Sequence, residues 1–381
     1  MTYTPPTVAY SATIDGTYTT LTGVQSVNIS RGRQRFQDPV GQSSCVIELI
    51  PANSYSLPLA IGQFIDVRST AAVTNGYFCG RITDVQRNYG MPYTAGTGAA
   101  PADRITITAT GGTGVVGASQ LNGYSLANNY VNYSLDNLVS SLSVLLITNG
   151  YSWVRNSAQT VSGSALDAVN QLCRTAQIVL DDFDMKRTAV PGGQQFGVLN
   201  YPSGQKLAGS FAFADDGSAA AFRNIQFLSS VQNTFNWIEL EATGVYTVIA
   251  AFGAAPFNAL KYTTYSENPA DASNLASYLW YLLSGQVQAA PYVIETDTTV
   301  SASCVDYALL ANGWNLNTAI GQPVSVKFRG STTYGIIESV QTSFGVDKAS
   351  VRLFLSPSLG TPFTLDSSAF GALDQNRLGY P

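Results

Sequence analysis

The sequence contains one block of residues twice, and this internal repeat limits the possible folds more than any other feature. The first copy begins at Gly62-Gln63 and ends at Gly90, whereas the second begins at Gly321-Gln322 and ends at Gly345. Further positions match in the same order: Gly80, Ile82, Val85, Gln86 and Tyr89 in the first copy, and Gly335, Ile337, Val340, Gln341 and Phe344 in the second. A unit repeated in this way indicates a duplicated supersecondary structure.

Each copy has the residue pattern of antiparallel β-strands. Apolar and polar residues alternate from Ile65 to Arg68 and again from Val324 to Lys327, which is the period of a half-buried strand. The next matched apolar residues, Ile82 and Val85 in the first copy, are three positions apart, so a regular strand would place them on opposite faces. The pattern therefore predicts either a β-bulge at this point in both copies or a strand that is covered on both faces.

The repeat extends towards the N-terminus of each copy, because Ile47-Glu48-Leu49 recurs as Ile238-Glu239-Leu240. This match predicts that the two tripeptides lie in equivalent strands of two similar β-barrels. The stretch from Leu240 to Gly321 is much longer than the stretch from Leu49 to Gly62. We therefore expect an insertion within the second barrel.

Helical periodicity occurs in three segments. Ser134 can cap a helix whose apolar face extends to Leu146, and Ser164 has the spacing of a capping box at the start of a second helix. Asn268 followed by proline is typical of a helix start and predicts a third helix over 269–284, within the insertion.

These patterns together predict a mainly β protein with α+β insertions. The expected parts are residues 1–118 as the first β-barrel, 119–205 as a small α/β domain, 206–245 with 319–361 as the second β-barrel, 246–318 as the inserted domain, and 362–381 as an extended C-terminal arm. The loop from Met91 to Asp103 is missing from the second copy and is long for a hairpin, so it could reach a partner.

Composition favours an assembly subunit. Charged residues make up only 11% of the chain and the formal net charge is −5, which predicts a surface that is polar but weakly charged. Such a surface suits a subunit that buries much of itself against its neighbours. It also argues against a dedicated nucleic-acid binder, which needs clustered lysine and arginine.

The chain contains no histidine, which excludes Ser-His-Asp and Cys-His catalysis and HExxH zinc sites. The chain has two acidic clusters, Asp181-Asp182 with Asp184 and Asp215-Asp216. Each is a candidate for the carboxylate pair of a glycosidase or for a set of calcium ligands. Their spacing does not fit an EF-hand loop, and Asp-Asp-Gly is typical of a turn. We therefore predict no enzymatic activity, no cofactor and no metal site.

Arg31, Arg33 and Arg35 alternate in a strand-like stretch and are expected to share a face. One interpretation is a solvated or ion-paired edge that discourages unwanted strand pairing. The other is contact with an acidic neighbouring subunit, and this makes the three arginines the candidate residues of an inter-subunit site.

The four cysteines, Cys45, Cys79, Cys173 and Cys304, form no CxxC pair and are expected to be buried hydrophobes in a reducing compartment. A disulfide bridge between Cys45 and Cys79 remains an alternative, since both residues lie near the first copy of the repeat. The N-terminus lacks the charge and apolar core of a signal peptide, and no apolar run approaches about 18 residues. We expect neither secretion nor a membrane span.

Several segments resemble the baseplate or tail-tip hub proteins of tailed bacteriophages, a family also called minor tail proteins. Ser26 to Arg33 is similar to the opening strand of such proteins, and Ser164 to Asp182 is similar to part of their second domain. Asn268 to Leu283, followed by Ala290-Pro291, looks like their inserted helix, and Leu378-Gly379-Tyr380 also fits the type.

The resemblance implies two barrels like those of a tail tube and a homotrimer in which two barrels per chain imitate a six-fold ring. Such a hub would join the hexameric tube or distal tail ring to a three-fold tip and form part of the DNA-ejection channel. The implied partners are further copies of the chain, the distal tail or tube ring, the tape measure protein and the tip or fibre proteins, with DNA passing without specific binding. The implied location is the virion tail tip, after assembly in the host cytoplasm.

A second hypothesis is a distal-tail or receptor-binding protein that recognises host surface glycan through tyrosine-rich loops. The chain contains 21 tyrosines, which suit either a carbohydrate-binding surface or a protein interface.

Overall fold

The fold is taken from a computed structural model that describes residues 3–14, 16–51, 57–70, 76–90, 103–148, 152–184, 196–202, 211–228, 235–242, 246–251, 258–283, 290–310 and 318–357. Within these ranges the protein is mainly β with α+β insertions, which confirms the predicted fold class. The predicted arm at 362–381 and the loop at 91–102 lie outside the described residues.

The chain begins with seven strands: β1 (Thr7–Ser11), β2 (Thr19–Thr20), β3 (Val24–Gly32), β4 (Ser44–Leu49), β5 (Phe64–Arg68), β6 (Gly76–Asn88) and β7 (Arg104–Thr110). The small domain follows: α1 (Gly112–Ala118), β8 (Gln120–Leu126), β9 (Asn129–Tyr130), α2 (Val131–Ser141), β10 (Val144–Thr148), β11 (Arg155–Asn156), β12 (Gln159–Ser164), α3 (Ala165–Thr175), β13 (Ile178–Asp182) and β14 (Phe196–Pro202). The remaining elements are β15 (Phe211–Ala214), β16 (Asn224–Leu228), β17 (Trp237–Ala242), β18 (Tyr246–Ala251), β19 (Ala259–Thr263), α4 (Pro269–Leu283), β20 (Ala290–Asp297), a 3₁₀ helix (Ala302–Ala308), β21 (Pro323–Phe328), β22 (Ser331–Phe344) and β23 (Ala349–Pro357).

One 13-stranded sheet runs through both copies of the repeat. Its main path is β16-β20-β23-β22-β3-β4-β7-β6-β5-β1-β2, and β21 and β15 extend from β22. We call β1–β7 the first β unit, and β15, β16 and β20–β23 the second β unit. The two units meet where the last part of β22 pairs with β3, from Ser339 opposite Gly32 to Phe344 opposite Val27.

The structure confirms the repeat as matched sets of antiparallel strands. β5, β6 and β7 pair in the same order as β21, β22 and β23, with Ile65 opposite Gly80 in the first unit and Val324 opposite Gly335 in the second. Of the two predicted alternatives, the bulge is present in both copies, because the register shifts just after Ile82 and just after Ile337. The three-residue spacing of apolar side chains is therefore accommodated by an irregular strand in each unit.

The first glycine of each copy explains why the repeat begins with this residue type. Gly62 and Gly321 have φ angles of 88° and 80°, a left-handed conformation that favours glycine. Each then donates its N–H to an equivalent carbonyl of the long strand, Gly62 to Ile82 at 2.8 Å and Gly321 to Ile337 at 2.7 Å. The same turn therefore starts both copies.

The match between Ile47-Glu48-Leu49 and Ile238-Glu239-Leu240 led to a wrong strand assignment. Residues 237–242 form β17, which belongs to a separate sheet of order β18-β17-β19 rather than to the second β unit. The strand that pairs with β23, as β4 pairs with β7, is β20, although the sequence pattern places these residues in the inserted domain. A short apolar-polar-apolar alternation fits any half-buried strand, so the tripeptide alone cannot identify the sheet.

The helix expected from Ser134 to Leu146 is also partly wrong. The helix α2 begins at Val131 and ends at Ser141, and the leucines at 145 and 146 lie in strand β10. Ser143, between the two elements, has a φ of 58°, which ends the helical geometry. The apolar run continues across this turn because β10 and α2 contribute to the same core.

The other two helices are confirmed. Ser164 is the N-cap residue of α3, although its side chain makes no capping hydrogen bond. In α4, which starts at Pro269, Asn268 Oδ1 accepts a hydrogen bond from the N–H of Ala270 at 3.0 Å. The helix packs Leu275 and Leu279 against Ile238 and Leu240 of β17, so it forms the core of the inserted domain.

Replacing Asn268 by alanine should lower the stability of the inserted domain by about 1 kcal/mol, because the first turn of α4 loses its side-chain cap. Urea denaturation followed by circular dichroism measures the change. Asn274, exposed in the middle of the same helix, provides the matched control, since alanine there should be neutral or slightly stabilising. Equal losses at both positions would show that Asn268 does not act as a cap.

All four cysteines are buried, as expected for small hydrophobic residues, and their thiols are free. In the part of the chain that the structure describes, no helix is long and apolar enough to cross a membrane.

Candidate functional site

One face of the 13-stranded sheet is covered by hydroxyl and amide side chains. We call these side chains the polar face; it comprises Ser26, Asn28, Ser30, Ser44, Thr106, Thr108, Thr110, Gln341 and Ser343, none of which is buried. Residues that alternate with them, such as Ile29, Ile47 and Ile107, are at most 4% exposed and form the core beneath. The alternation places the polar face across the junction of the two β units.

A concavity of about 570 Å³ lies where the polar face meets the second β unit. Its charged residues are largely matched in sign, since Arg352 Nε lies 3.1 Å from Glu295 Oε1 and Arg223 pairs with Asp297. Phosphate binding needs an excess of positive charge. The polar face and this concavity therefore lack the excess positive charge that holds a nucleic acid.

The small domain is joined to both β units by a buried charge network. Arg31 of β3 donates from Nη1 to both carboxylate oxygens of Asp181, at 3.0 and 2.9 Å, and from Nη2 to the carbonyls of Ala308 and Leu309. Thr318 also donates to Asp181. Arg31 and Asp181 are both 2% exposed, so this pair connects β13 of the small domain to β3 and to the segments on either side of 311–317.

A second buried pair joins the small domain to strand β5. Arg68 donates to Asp184 from Nη1 at 2.8 Å and from Nη2 at 2.6 Å, and its Nε donates to Asp66 at 2.7 Å. Asp184 is fully buried. Between these pairs, Asp182 accepts a hydrogen bond from the N–H of Thr113 in the first turn of α1, at 2.8 Å. The three aspartates predicted as an acidic cluster thus contact three different parts of the chain.

The three candidate arginines do not share a face. Strand β3 ends at Gly32, so only Arg31 lies in it. Arg31 is buried and paired within this chain, as described above. Arg33 pairs with Glu338 at 2.6 Å and is mostly covered, and Arg35 pairs with Asp38 at 3.0 Å on the surface. Arg31 is therefore an internal residue, and a subunit contact at Arg33 and Arg35 stays a prediction.

The second acidic cluster is a surface turn. Asp216 pairs with Lys327 at 2.6 Å and accepts hydrogen bonds from Ser218, and Asp215 accepts a hydrogen bond from the N–H of Arg329. Among the described residues, no group of three or more carboxylates and cysteines is arranged to hold a metal ion. Both acidic clusters are occupied by contacts within the chain.

Sequence reasoning missed the partners of the charge network, above all Arg68 and Asp66. Both residues alternate with apolar ones in the sequence and so look like the solvent side of a strand. In the structure all five residues of β5 are buried, because the small domain covers the side expected to face water. The residues around Asp66 and Arg68 in the sequence contain no signal for this coverage.

Burial raises the pKa of Asp182 to about 6, and the Asp181 carboxylate beside it contributes to the rise, although the nearby Ser43 hydroxyl and the hydrogen bond from Thr113 oppose it. The folded state therefore binds a proton more tightly than the unfolded chain does. The stabilisation from this proton is fully present below the ordinary aspartate pKa and is lost as the pH rises through about 6.

Replacing Asp182 by asparagine should consequently stabilise the protein at pH 7.5 by about 2–3 kcal/mol, because the neutral amide keeps an acceptor for Thr113 and carries no buried charge. The gain over the native chain should shrink to about zero near pH 4. Urea midpoints of both proteins across this range measure it. Asp136→Asn, at an exposed position on α2, controls for the loss of one negative charge, and an equal pH-dependent gain there would contradict the assignment to Asp182.

A group of aromatic side chains lies on the surface of the small domain. Trp153 is 76% exposed and Tyr133 is 48% exposed, and both rings lie 6.4 Å from the ring of Tyr130. Arg155 stacks over Tyr130 and pairs with Glu267 at 3.1 Å, and Asn128 hydrogen-bonds to both charged residues. Exposed rings beside planar polar groups can stack on and hydrogen-bond to a ligand.

The arrangement of two similar β units, a small α/β domain and an insertion defines a fold found in tail proteins. Solved structures with this fold include the 43 kDa tail protein of prophage MuSo2 from Shewanella oneidensis, with a TM-score of 0.57, 12% identity and coverage of 92% of this chain and 97% of that chain. A tail protein from Neisseria meningitidis MC58 gives a TM-score of 0.60 at 9% identity, covering 93% of this chain and 97% of that one.

A third similar structure is the E. coli c3393 protein, described as a component of the type VI secretion system with structural similarity to the T4 tail proteins gp27 and gp5. Its TM-score is 0.53 at 11% identity, with coverage of 90% of this chain and 76% of that one. No protein-family model and no curated protein matches the sequence. At such low identities the similarity establishes a shared fold.

Proposed function

We propose that the chain is a structural protein of a phage tail tip, a homotrimeric hub that adapts a six-fold tube or distal tail ring to a three-fold tip. The observation that carries this proposal is that each chain supplies two similar β units joined into one sheet. Three such chains would present six similar units around an axis, which is what a junction between the two symmetries requires. The shared fold with tail proteins supports the same role.

In this role the hub would contact the distal tail or tube ring on one side and the tape measure and tip or fibre proteins elsewhere. It would be located at the tail tip of the virion, after assembly in the host cytoplasm, and would take part in genome ejection without acting as an enzyme. The hydroxyl and amide groups of the polar face and the charged pairs of the adjoining concavity suit a channel wall along which DNA slides, because they provide no array of cations to retain phosphates.

Size measurement of the purified protein tests the proposal. Mass photometry should show a species of three times the chain mass of 40.4 kDa. Negative-stain images should show a ring with a central opening. A protein that stays monomeric at micromolar concentration, or forms hexamers, would overturn the trimer.

The native protein should show little binding to a short DNA duplex in fluorescence anisotropy at low salt. A variant with lysine in place of Ser30, Ser44 and Ser343 should bind, with an affinity that falls steeply as salt is added, because each new cation can neutralise a phosphate. Asn122→Lys, Asn137→Lys and Ser140→Lys, at exposed positions on the small domain, add the same charge and serve as the matched control. Strong binding by the native chain would contradict a non-retaining wall.

A second function, recognition of a host surface glycan, is favoured by the exposed aromatic group at Tyr130, Tyr133 and Trp153. Sugar rings stack on such faces, and Asn128 and Arg155 could hydrogen-bond to hydroxyl groups. Screening the purified protein on a glycan array tests this function. Binding that Trp153→Ala abolishes would support glycan recognition, and no binding by the native protein would contradict it.

A further inference from the structure

The exposed aromatic group of Tyr130, Tyr133 and Trp153 is held in place by the backbone of the small domain. Strand β9 places Tyr130 opposite Arg155 of β11, and Tyr133 follows in the first turn of α2. Trp153 directly precedes Val154, whose carbonyl accepts a hydrogen bond from the first N–H of α2 at 3.0 Å. The rings are therefore positioned before any ligand arrives, which lowers the entropic cost of binding.

The indole ring of Trp153 offers the largest open aromatic surface of the group, since it is 76% exposed. The face of an aromatic ring carries partial negative charge and attracts the partly positive hydrogens of C–H groups. A pyranose ring presents C–H groups on its face and hydroxyl groups around its rim. It therefore matches an open indole ring that has hydrogen-bonding groups beside it.

Three side chains next to the aromatic group supply the hydrogen-bonding groups. Arg155 Nη2 donates to Asn128 Oδ1 at 2.7 Å, Arg155 Nε lies 3.1 Å from Glu267 Oε1, and Asn128 Nδ2 donates to Glu267. A carboxylate can accept about four hydrogen bonds, so Glu267 keeps acceptor sites for hydroxyl groups, and the second N–H of Asn128 adds a donor.

The charge around the aromatic group is negative. The positive charge is that of Arg155, which is paired within the chain. Two carboxylates lie nearby besides Glu267: Asp136, which is exposed one helical turn after Tyr133, and Asp271, whose pKa is raised by burial and by the Glu267 carboxylate. One cation thus faces three carboxylates.

Among the described residues of the small domain, Arg174 is the one other cation, and it is committed to different contacts. It stacks over Tyr262 at 4.8 Å and donates to the carbonyl of Gln37 at 3.0 Å. Recognition of a carboxylate or phosphate group needs a cation with free donors. An acidic sugar would therefore be repelled at the aromatic group, whereas an uncharged sugar meets no such cost.

We propose that the aromatic group binds an uncharged pyranose of a host surface glycan, with the sugar ring stacked on Trp153 and its hydroxyl groups hydrogen-bonded to Asn128 and Glu267. The inference rests on the glycan recognition proposed above and adds the class of sugar. The negative charge around the site excludes uronic acids, sialic acids and phosphorylated sugars.

An array of neutral and acidic bacterial surface polysaccharides, probed with the full-length protein, tests the inference. Neutral polysaccharides should bind and acidic ones should not. Isothermal titration calorimetry with the strongest neutral ligand should show an affinity about tenfold lower for Trp153→Ala, because the stacking surface is lost. Tyr334→Ala, at an exposed ring on β22, is the matched control and should bind as the native chain does.

Glu267→Gln tests the part played by charge. Glutamine keeps an acceptor for sugar hydroxyl groups but removes one negative charge and releases Arg155. Binding of the neutral ligand should persist, and the array signal from acidic polysaccharides should rise at least about fivefold over that of the native chain. Glu239→Gln removes the same charge from the pair with Lys261 in the inserted domain and should leave that signal unchanged. An unchanged acidic signal in Glu267→Gln would contradict exclusion by charge.

The outcomes separate the class of sugar from glycan recognition itself. Stronger binding to acidic than to neutral polysaccharides, lost in Trp153→Ala, would overturn the uncharged class and leave glycan recognition intact. Neutral binding that persists in Trp153→Ala would overturn the site. A native protein that binds no polysaccharide on the array would overturn both, and the structural hub would stand or fall by its own size measurement.

Discussion

Replacing Arg31 by methionine should lower the free energy of unfolding by about 3–5 kcal/mol, the largest effect that we expect from a single substitution. The change leaves the Asp181 carboxylate buried without its cation, and it leaves the carbonyls of Ala308 and Leu309 without their donor. Methionine fills a similar volume, so the loss reports the missing charge rather than a cavity. Urea denaturation at pH 7.5 measures it.

A second variant shows whether the loss arises from the unpaired carboxylate. Adding Asp181→Leu to Arg31→Met should restore more than half of the stability, because apolar side chains of similar size often replace a buried ion pair without loss. The exposed pair of Arg155 with Glu267 supplies the comparison, and Arg155→Met should cost less than about 1 kcal/mol. Equal costs for Arg31→Met and Arg155→Met would contradict the role of burial.

The second large effect is expected at Arg68. Arg68→Met removes the cation shared by Asp66 and Asp184, and we expect the free energy of unfolding to fall by about 3–5 kcal/mol. The contact between β5 and the small domain should then open before the rest of the protein unfolds. Hydrogen exchange of β13 amides detects this opening, since they should exchange faster in the variant than in the native chain.

The two arginines contact different aspartates, so their effects can be separated. Asp184→Asn should cost less than Arg68→Met, because it removes a buried charge together with its pairing. In the Arg68→Met background, Asp184→Asn should even restore stability, since it neutralises the orphaned carboxylate. Additive losses for these two substitutions would mean that Arg68 and Asp184 do not act as a pair.

The sequence was sufficient to predict the features that depend on local pattern. The bulge after Ile82, which was one of two alternatives, and the start of α4 follow from residue type and spacing, and the structure contains both. Such features are predictable because strand alternation and helix capping involve only near neighbours in the sequence.

The features that it missed depend on distant contacts. The alternation in β5 predicts a solvent-exposed Asp66 and Arg68, but residues more than a hundred positions away cover them. In the same way, Ile238-Glu239-Leu240 matches β4 in sequence, whereas β20 occupies the equivalent place in the sheet. Which sheet a strand joins is decided by the whole topology, and a pattern of three residues contains no information about it.

The charge network holds the parts of one chain together. Arg31 and Arg68 fix the small domain to the β units within a chain. Buried ion pairs add little net stability compared with apolar packing, but they specify which groups must meet. We therefore infer that the network fixes the relative positions of the parts that the proposed ring requires.

The central claim is that three copies of this chain take the place of six similar subunits. A cryo-EM reconstruction of the purified assembly, calculated without imposed symmetry, tests it most directly. The account predicts three chains around one axis, six similar β units in a ring, and the polar face lining the central opening. A ring of six chains, or one in which the two β units of a chain occupy unlike positions, would contradict it.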